Sequence, residues 1–286
     1  MLEYELSLDE ESIWKIVTPT ALARRFPLYL LELGYFIAEK PYYTHRSGMD
    51  IYLVIETLEG EGELLLKGEK HTLGEGTAVV FSCMEDHVYR TKSDTPWKFR
   101  WIHFAGCTAD LYYQLLYPEK FSVCKSVNSP ELRAIYDRIC KNAEQNDAYG
   151  SAKMSVLLTD YLTEVLSSRF QDSAVDGELD KKLLAVRDFM SENMREKIYI
   201  DELAQMMHLS KYHFLRVFKR KIGATPHEYL INLRINKAKE LLVNTDRTLE
   251  AIAEEVGFSD SKALVMSFKK NVDISPGRYR DFYRKK

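Results

Sequence analysis

The chain reads as an α+β protein of two domains: a barrel or jelly roll of short strands with flanking helices, then an all-helical half. Three observations predict this. Residues 28 to about 105 are short apolar and aromatic segments broken by Gly, Asp and Pro turns. From Leu183 onward the apolar residues recur at helical spacing. The charge also changes sign along the chain. Residues 1–180 hold 18 Lys and Arg against 29 Asp and Glu, whereas residues 181–286 hold 22 against 14. With 286 residues there is room for two separate cores. A basic half joined to an acidic one points to a polyanionic partner for the C-terminal half alone.

The strand segments are LYLLELGYFIA, DIYLVIETL, GELLLKGEKHTL, TAVVF, DHVYR and KFRWIHFAG, with GEGEL, LKGEK and LGEGT as expected hairpin connections. Helical patterns follow over 110–122 and 129–170. Ser129 is the expected N-cap of SPELRAIYDRIC, with Pro130 at the first helical position. Met154, Leu157, Leu158, Tyr161, Leu162 and Val165 form one apolar stripe. The stretch SSRFQDSAVDGELD (167–180) is polar and lacks periodicity. The expected division is therefore a domain at 1–170, a linker at 171–180 and a domain at 181–286.

Several function classes lose support on the same reading. No run approaches ~18 apolar residues, and the acidic start MLEYELSLDEE lacks the basic region of a signal peptide. The expected location is cytoplasmic, with no membrane partner. Cys83, Cys107, Cys124 and Cys140 show no C-x-x-C pairing and are expected as buried free thiols. His45, His71, His87 and His103 stand alone, with no H-x-H ligand pair, and there is no P-loop, GxGxxG or nucleophile motif. Neither a metal nor a cofactor is expected, nor catalysis.

The helical half contains one segment twice. HFLRVFKRKIGATPHEYL and ALVMSFKKNVDISPGRYR align with Phe218 on Phe268, Lys219 on Lys269, Pro226 on Pro276 and Tyr229 on Tyr279, all 50 apart. Upstream, DELAQMMHLS aligns with EAIAEEVGFS at an offset of 49. Each copy spells helix, tight turn, helix. Gly257 can take positive φ at its turn, and His208 tolerates it better than a β-branched residue would.

In the first copy Phe214, Val217 and Phe218 form a core stripe, while Tyr212, Leu215, Arg216 and Lys219 form an outward one. An outward stripe of this kind suits the DNA major groove, where Arg can pair with guanine O6 and N7. Lys211, Lys219, Arg220 and Lys221, with Lys269 and Lys270 in the second copy, suit phosphates. Joined by one long helix from Pro226 to about Asn244, the two units would enter successive major grooves about one helical turn, ~34 Å, apart.

LAQMMHLSKYHFLRVFKRKIGATPHEYLINLRINKAKELLVNTDRTLEAIAEEVGFSD…FKKNVDISPGRYR closely resembles the DNA-binding domain of AraC-type transcriptional regulators, over roughly 181–284. The resemblance implies seven helices, a double helix-turn-helix and promoter DNA as partner, with RNA polymerase as a further one. It places base contacts on Tyr212, Leu215 and Arg216, then on Lys262, Val265 and Met266. The second copy departs from the family pattern, which often has Arg where Met266 stands, an aromatic at Ala263 and Gly at Asp273. Val265 and Met266 can touch thymine methyls but cannot pair bidentately with a base. Sequence reading is therefore expected to rest mainly on the first copy.

Residues 34–104 resemble the cupin-type sensor barrel that accompanies this domain, on G-E-G, L-x-x-G, H-x-Y-R and W-I-H-F. The resemblance implies a small effector, expected to be a sugar, lined by Arg46, Tyr89, Phe99 and Trp101. Phe99, Trp101 and His103 share a strand face. His45, Glu56 and His87 are further polar candidates. The helices of 110–170 are expected to form a homodimer contact. The rival reading is a cupin-fold enzyme or sugar-binding protein that no longer reads DNA.

Overall fold

The computed structural model describes residues 2–117, 120–125, 130–145, 147–171 and 174–284, so Ser129 lies outside the described residues. The chain divides into two compact units, Met1–Ser173 and Ala174–Lys286.

Among the described residues ten strands build the first unit: β1 (Leu2–Glu5), β2 (Ile13–Ile16), β3 (Tyr29–Ala38), β4 (Tyr43–Arg46), β5 (Tyr52–Glu59), β6 (Gly62–Leu66), β7 (Glu69–Leu73), β8 (Thr77–Ser82), β9 (His87–Thr91) and β10 (Trp97–Ala105). They form two antiparallel five-stranded sheets, ordered β1-β4-β9-β6-β7 and β2-β3-β10-β5-β8, a cupin-like double sheet. Only LKGEK is a hairpin turn, with Lys67 and Gly68 both at positive φ between the paired β6 and β7. GEGEL and LGEGT instead carry the chain from one sheet to the other. A glycine turn marks a jelly-roll corner as readily as a hairpin, so the three looked alike in sequence.

Strand β10 is buried on both faces. Trp97, Phe99 and Trp101 join Phe36, Tyr42 and Ile55 between the sheets. Ile102 and Phe104 face the other way and join Leu30, Leu33 and Val54. Over that outer face lie α1 (Ala109–Leu116), α2 (Pro130–Asn142) and α3 (Ala148–Gln171). The α3 stripe from Met154 to Val165 is wholly buried there. Each such aliphatic or aromatic side chain contributes about 1.5–3 kcal/mol by leaving water. Two tyrosines fasten the helices to the sheet: Tyr136 Oη donates to Gly34 O at 2.7 Å and Tyr161 Oη to Glu56 Oε2 at 2.9 Å. The cysteines are thiols outside any disulfide among the described residues; Cys83 and Cys124 are buried, Cys140 half-buried, and Cys107, expected inside, is exposed.

Among the described residues the second unit has seven helices: α4 (Ala174–Glu192), α5 (Ile200–Met206), α6 (Lys211–Ile222), α7 (Pro226–Asn244), α8 (Leu249–Val256), α9 (Ser261–Val272) and α10 (Pro276–Arg284). Helix α4 begins inside 171–180, so helical backbone reaches into the stretch read as linker. The unit has two cores. Phe214, Val217 and Phe218 pack with Leu183, Val186, Met190 and Leu203. Leu264 and Phe268 pack with Ile235, Ala238, Leu242, Ile252 and Val256. Helix α7 serves both, with Leu230 and Leu233 against the first core and Ile235, Ala238 and Leu242 in the second. Thr225 and Glu228 close a capping box at its start.

Arg234, midway along α7, ties the halves together. Its Nε donates to Met194 O at 2.8 Å and its Nη2 to Glu196 O at 3.0 Å, while the guanidinium lies 5.8 Å from the Phe258 ring centre. Gly257 (φ 88°) presses on the same strap. A Cβ there would stand 2.5 Å from Arg195 O and 2.6 Å from Met194 O.

Candidate DNA-reading helices and effector pocket

Helix α6 follows a turn that needs positive φ at His208 (54°), and α9 follows one that needs it at Gly257 (88°). Ser210 Oγ accepts from His213 N and Asp260 Oδ1 from Ala263 N, so both helices are capped at the end that faces a groove in a helix-turn-helix. Both end in the left-handed region, at Gly223 (φ 78°) and Asp273 (φ 63°).

The outward stripe of α6 is presented except at Leu215. Tyr212 is 84% exposed, Arg216 and Lys219 are exposed, and Leu215 is half-buried against the first core. On α9, Lys262 is exposed, Val265 half-buried and Met266 75% exposed. Lys211, Arg220, Lys269 and Lys270 are exposed as well. Lys221 is a correction. Its side chain is only 8% exposed and its Nζ lies 3.1 Å from Asp180 Oδ1 of α4, so it braces the domain instead of meeting phosphate. The basic run ends there because one further residue turns the side chain under the helix.

Between the two sheets a polar cluster interrupts the aromatic core. Arg46 is buried and its Nη1 donates to His103 Nε2 at 2.9 Å. That contact puts the His103 proton on Nδ1, which lies 3.0 Å from Glu32 Oε1 but out of line for a full hydrogen bond. Arg46 Nη1 is itself 3.7 Å from Glu32 Oε1, and Trp14 Nε1 of β2 donates to Glu32 Oε2 at 2.9 Å. Burial pushes His103 below its ordinary pKa, assisted by the Arg46 charge, so it is neutral at pH 7. Burial would raise Glu32, but its contacts with His103, Trp14 and Arg46 outweigh that and hold it ionised.

His87 donates through Nδ1 to Glu85 O at 2.8 Å, stacks on Tyr89 and is driven down to about 4 by burial. Trp101 sits over Gly34, where a Cβ would approach its ring to 2.7 Å, and meets Trp14 and Phe36 edge-on. Four atoms here are buried without a hydrogen-bond partner: Arg46 Nε, His87 Nε2, Trp101 Nε1 and His103 Nδ1. Each such atom costs about 1–3 kcal/mol unless something satisfies it.

Of the predicted pocket residues, Arg46, His87, Tyr89, Phe99, Trp101 and His103 face this interior. Two do not. His45 alternates with Thr44 and Arg46 on β4, so it points outward and bonds Asp86 Oδ1 at 2.8 Å. Glu56 lies on the helix side of β5, held by Tyr161 and 3.8 Å from Arg100 Nη1, and burial raises its pKa. Glu32 and Trp14 were not anticipated. Among the described residues no three His, Cys, Asp or Glu side chains converge as a metal site.

The AraC-like ligand binding domain matches residues 34–162, and a helix-turn-helix domain matches residues 203–281. The chain belongs to the AraC-type regulators. It is thus a ligand-responsive, DNA-binding transcription regulator. The regulator is 23% identical over 230 residues to the lactose operon transcription activator of Staphylococcus xylosus, covering 79% of this chain and 82% of that one. It is 24% identical over 238 residues to the Msm operon regulatory protein of Streptococcus mutans, covering 81% and 84%. The crystallised DNA-binding domain of AdpA, solved with a target DNA, is 30% identical over 36% of this chain and 94% of that chain, with a TM-score of 0.35. Among the described residues no helix of the regulator is long and apolar enough to cross a membrane.

Proposed function

We propose that residues 181–286 bind promoter DNA through α6 and α9, while residues 1–170 bind a saccharide between the two sheets and 171–180 joins the two. The observation that carries the DNA reading is the repeated unit with an outward stripe on each second helix, inside a basic segment. Base contacts are assigned to Tyr212, Leu215 and Arg216, with Lys262, Val265 and Met266 as the second set. Phosphate contacts are assigned to Lys211, Lys219, Arg220, Lys269 and Lys270. Support for a saccharide comes from the unpartnered polar atoms beside Trp101 and from the lactose operon relative.

The reading includes a homodimer formed through the helices of 110–170. Leu111 and Leu115, one turn apart on α1, are about half exposed, and Val156 on α3 is 67% exposed. It also includes a cytoplasmic location, RNA polymerase as a partner and no catalytic role. Effector binding changes how the two DNA-binding domains of a dimer are presented to the promoter.

The test is selection of bound sequences from random duplex DNA by the full chain, followed by affinity measurements across salt. A recovered consensus, with affinity falling steeply between about 50 and 200 mM salt, is the expected result. Binding without any consensus would sink the proposal.

A further inference from the structure

We infer that the effector is an uncharged saccharide, and that Glu32 sets this requirement by balancing the Arg46 guanidinium inside the barrel. The inference rests on the saccharide reading above and goes beyond it to the charge class. Among the described residues, the charged side chains that act on His103 are one cation, Arg46, and one anion, Glu32. Their side chains are 10% and 17% exposed, so water screens them weakly. His103 stands between them, taking a proton contact from Arg46 and offering its own Nδ1–H toward Glu32.

The consequence for a ligand is electrostatic. An uncompensated charge placed at a buried site costs far more than an unsatisfied polar group. Arg46 is the residue that would suit a carboxylate or phosphate, because a guanidinium pairs well with planar anions. Here it is already paired. An anionic sugar would bring a second negative charge beside Glu32, and an amino sugar would bring a second positive charge beside Arg46.

What remains open is hydrogen bonding without net charge. Arg46 Nε–H and Trp101 Nε1–H are donors without partners. His87 holds its proton on Nδ1 against Glu85 O, which leaves Nε2 as an acceptor without a partner. Burial keeps both imidazoles below their ordinary pKa, so neither adds charge at pH 7. A hydroxyl both donates and accepts, so a polyol satisfies donors and acceptor together, whereas a carboxylate only accepts. The indole beside them suits the apolar C–H face of a sugar ring.

The test uses the full-length chain at pH 7, read by thermal shift and titration calorimetry. The probes are lactose and its two constituent monosaccharides, with the corresponding uronates, 6-phosphates and 2-amino sugars. In the wild type a neutral sugar is expected to bind at least 10-fold tighter than its charged counterparts. In Glu32→Gln, which leaves Arg46 uncompensated, the uronate-to-neutral ratio is expected to move at least 10-fold toward the uronate. A wild-type preference for a charged form overturns the inference and leaves the saccharide reading standing. So does an unchanged ratio in the variant. If Glu32→Gln does not fold, the wild-type ratio alone decides. No binding by any probe overturns the saccharide reading and this inference with it.

Discussion

The two helix-turn-helix units solve one folding problem with two different residue sets, and they diverge only where they are free to. Their cores match: Phe218 lies edge-on to Tyr229 at 5.7 Å and Phe268 to Tyr279 at 5.4 Å. Their caps match in role, with Ser210 standing where Asp260 stands and Gly223 where Asp273 stands. Their outer faces do not match. The first offers a phenol and a guanidinium, while the second offers a half-buried Val and an exposed Met. Packing constrains the inner face of each helix and leaves the outer one to whatever it binds.

The strongest way to break the equivalence of the cores is to empty them. Phe218→Ala and Phe268→Ala each remove a fully buried ring and are expected to cost about 3–5 kcal/mol in urea unfolding of the full chain. A gap of more than about 2 kcal/mol between them would show that the cores are not equivalent. Next come the turns, where the backbone is alike but the surroundings differ. Gly257→Ala is expected to cost about 2 kcal/mol or more, since its Cβ meets the carbonyls of Met194 and Arg195. His208→Ala, at a position that already carries a Cβ, is expected to stay within about 0.5 kcal/mol. Comparable losses for the two would remove the close-approach argument.

The outer faces are sharpened by binding instead of stability. On a selected operator, Arg216→Ala is expected to lose about 1–3 kcal/mol and to relax base preference at one position. Met266→Ala is expected to lose a few tenths of a kcal/mol at most. Equal losses would contradict the view that base reading rests mainly on the first unit.

The helical half was legible because a helix–turn–helix–Pro unit repeats its caps and core at a fixed offset. Helix α7 runs from Pro226 to Asn244, the bounds expected of the long helix between the two copies. The barrel was harder for a physical reason. The run LVIETL in β5 is apolar on both faces, since one face meets the barrel interior and the other the helices, so no alternation told which way Glu56 points. Glu32 was hidden by a bulge: β3 skips a residue opposite His103 and Phe104, which resets the parity of the strand. Strands β1 and β2, with Trp14, are short and largely exposed, and left no periodic trace. Lys221 was lost within a basic run whose neighbours do face solvent.

On the proposed reading of α6 and α9 as groove readers, Arg234, which holds the 194–196 strap against α7 and the turn before α9, makes them parts of one stiff gauge. Stiffness moves the cost of a misfit from protein to nucleic acid. An operator whose two grooves are out of phase with that gauge has to twist or bend to be held at both points. Sequences that deform easily between the contacts would then be favoured, although no side chain touches them.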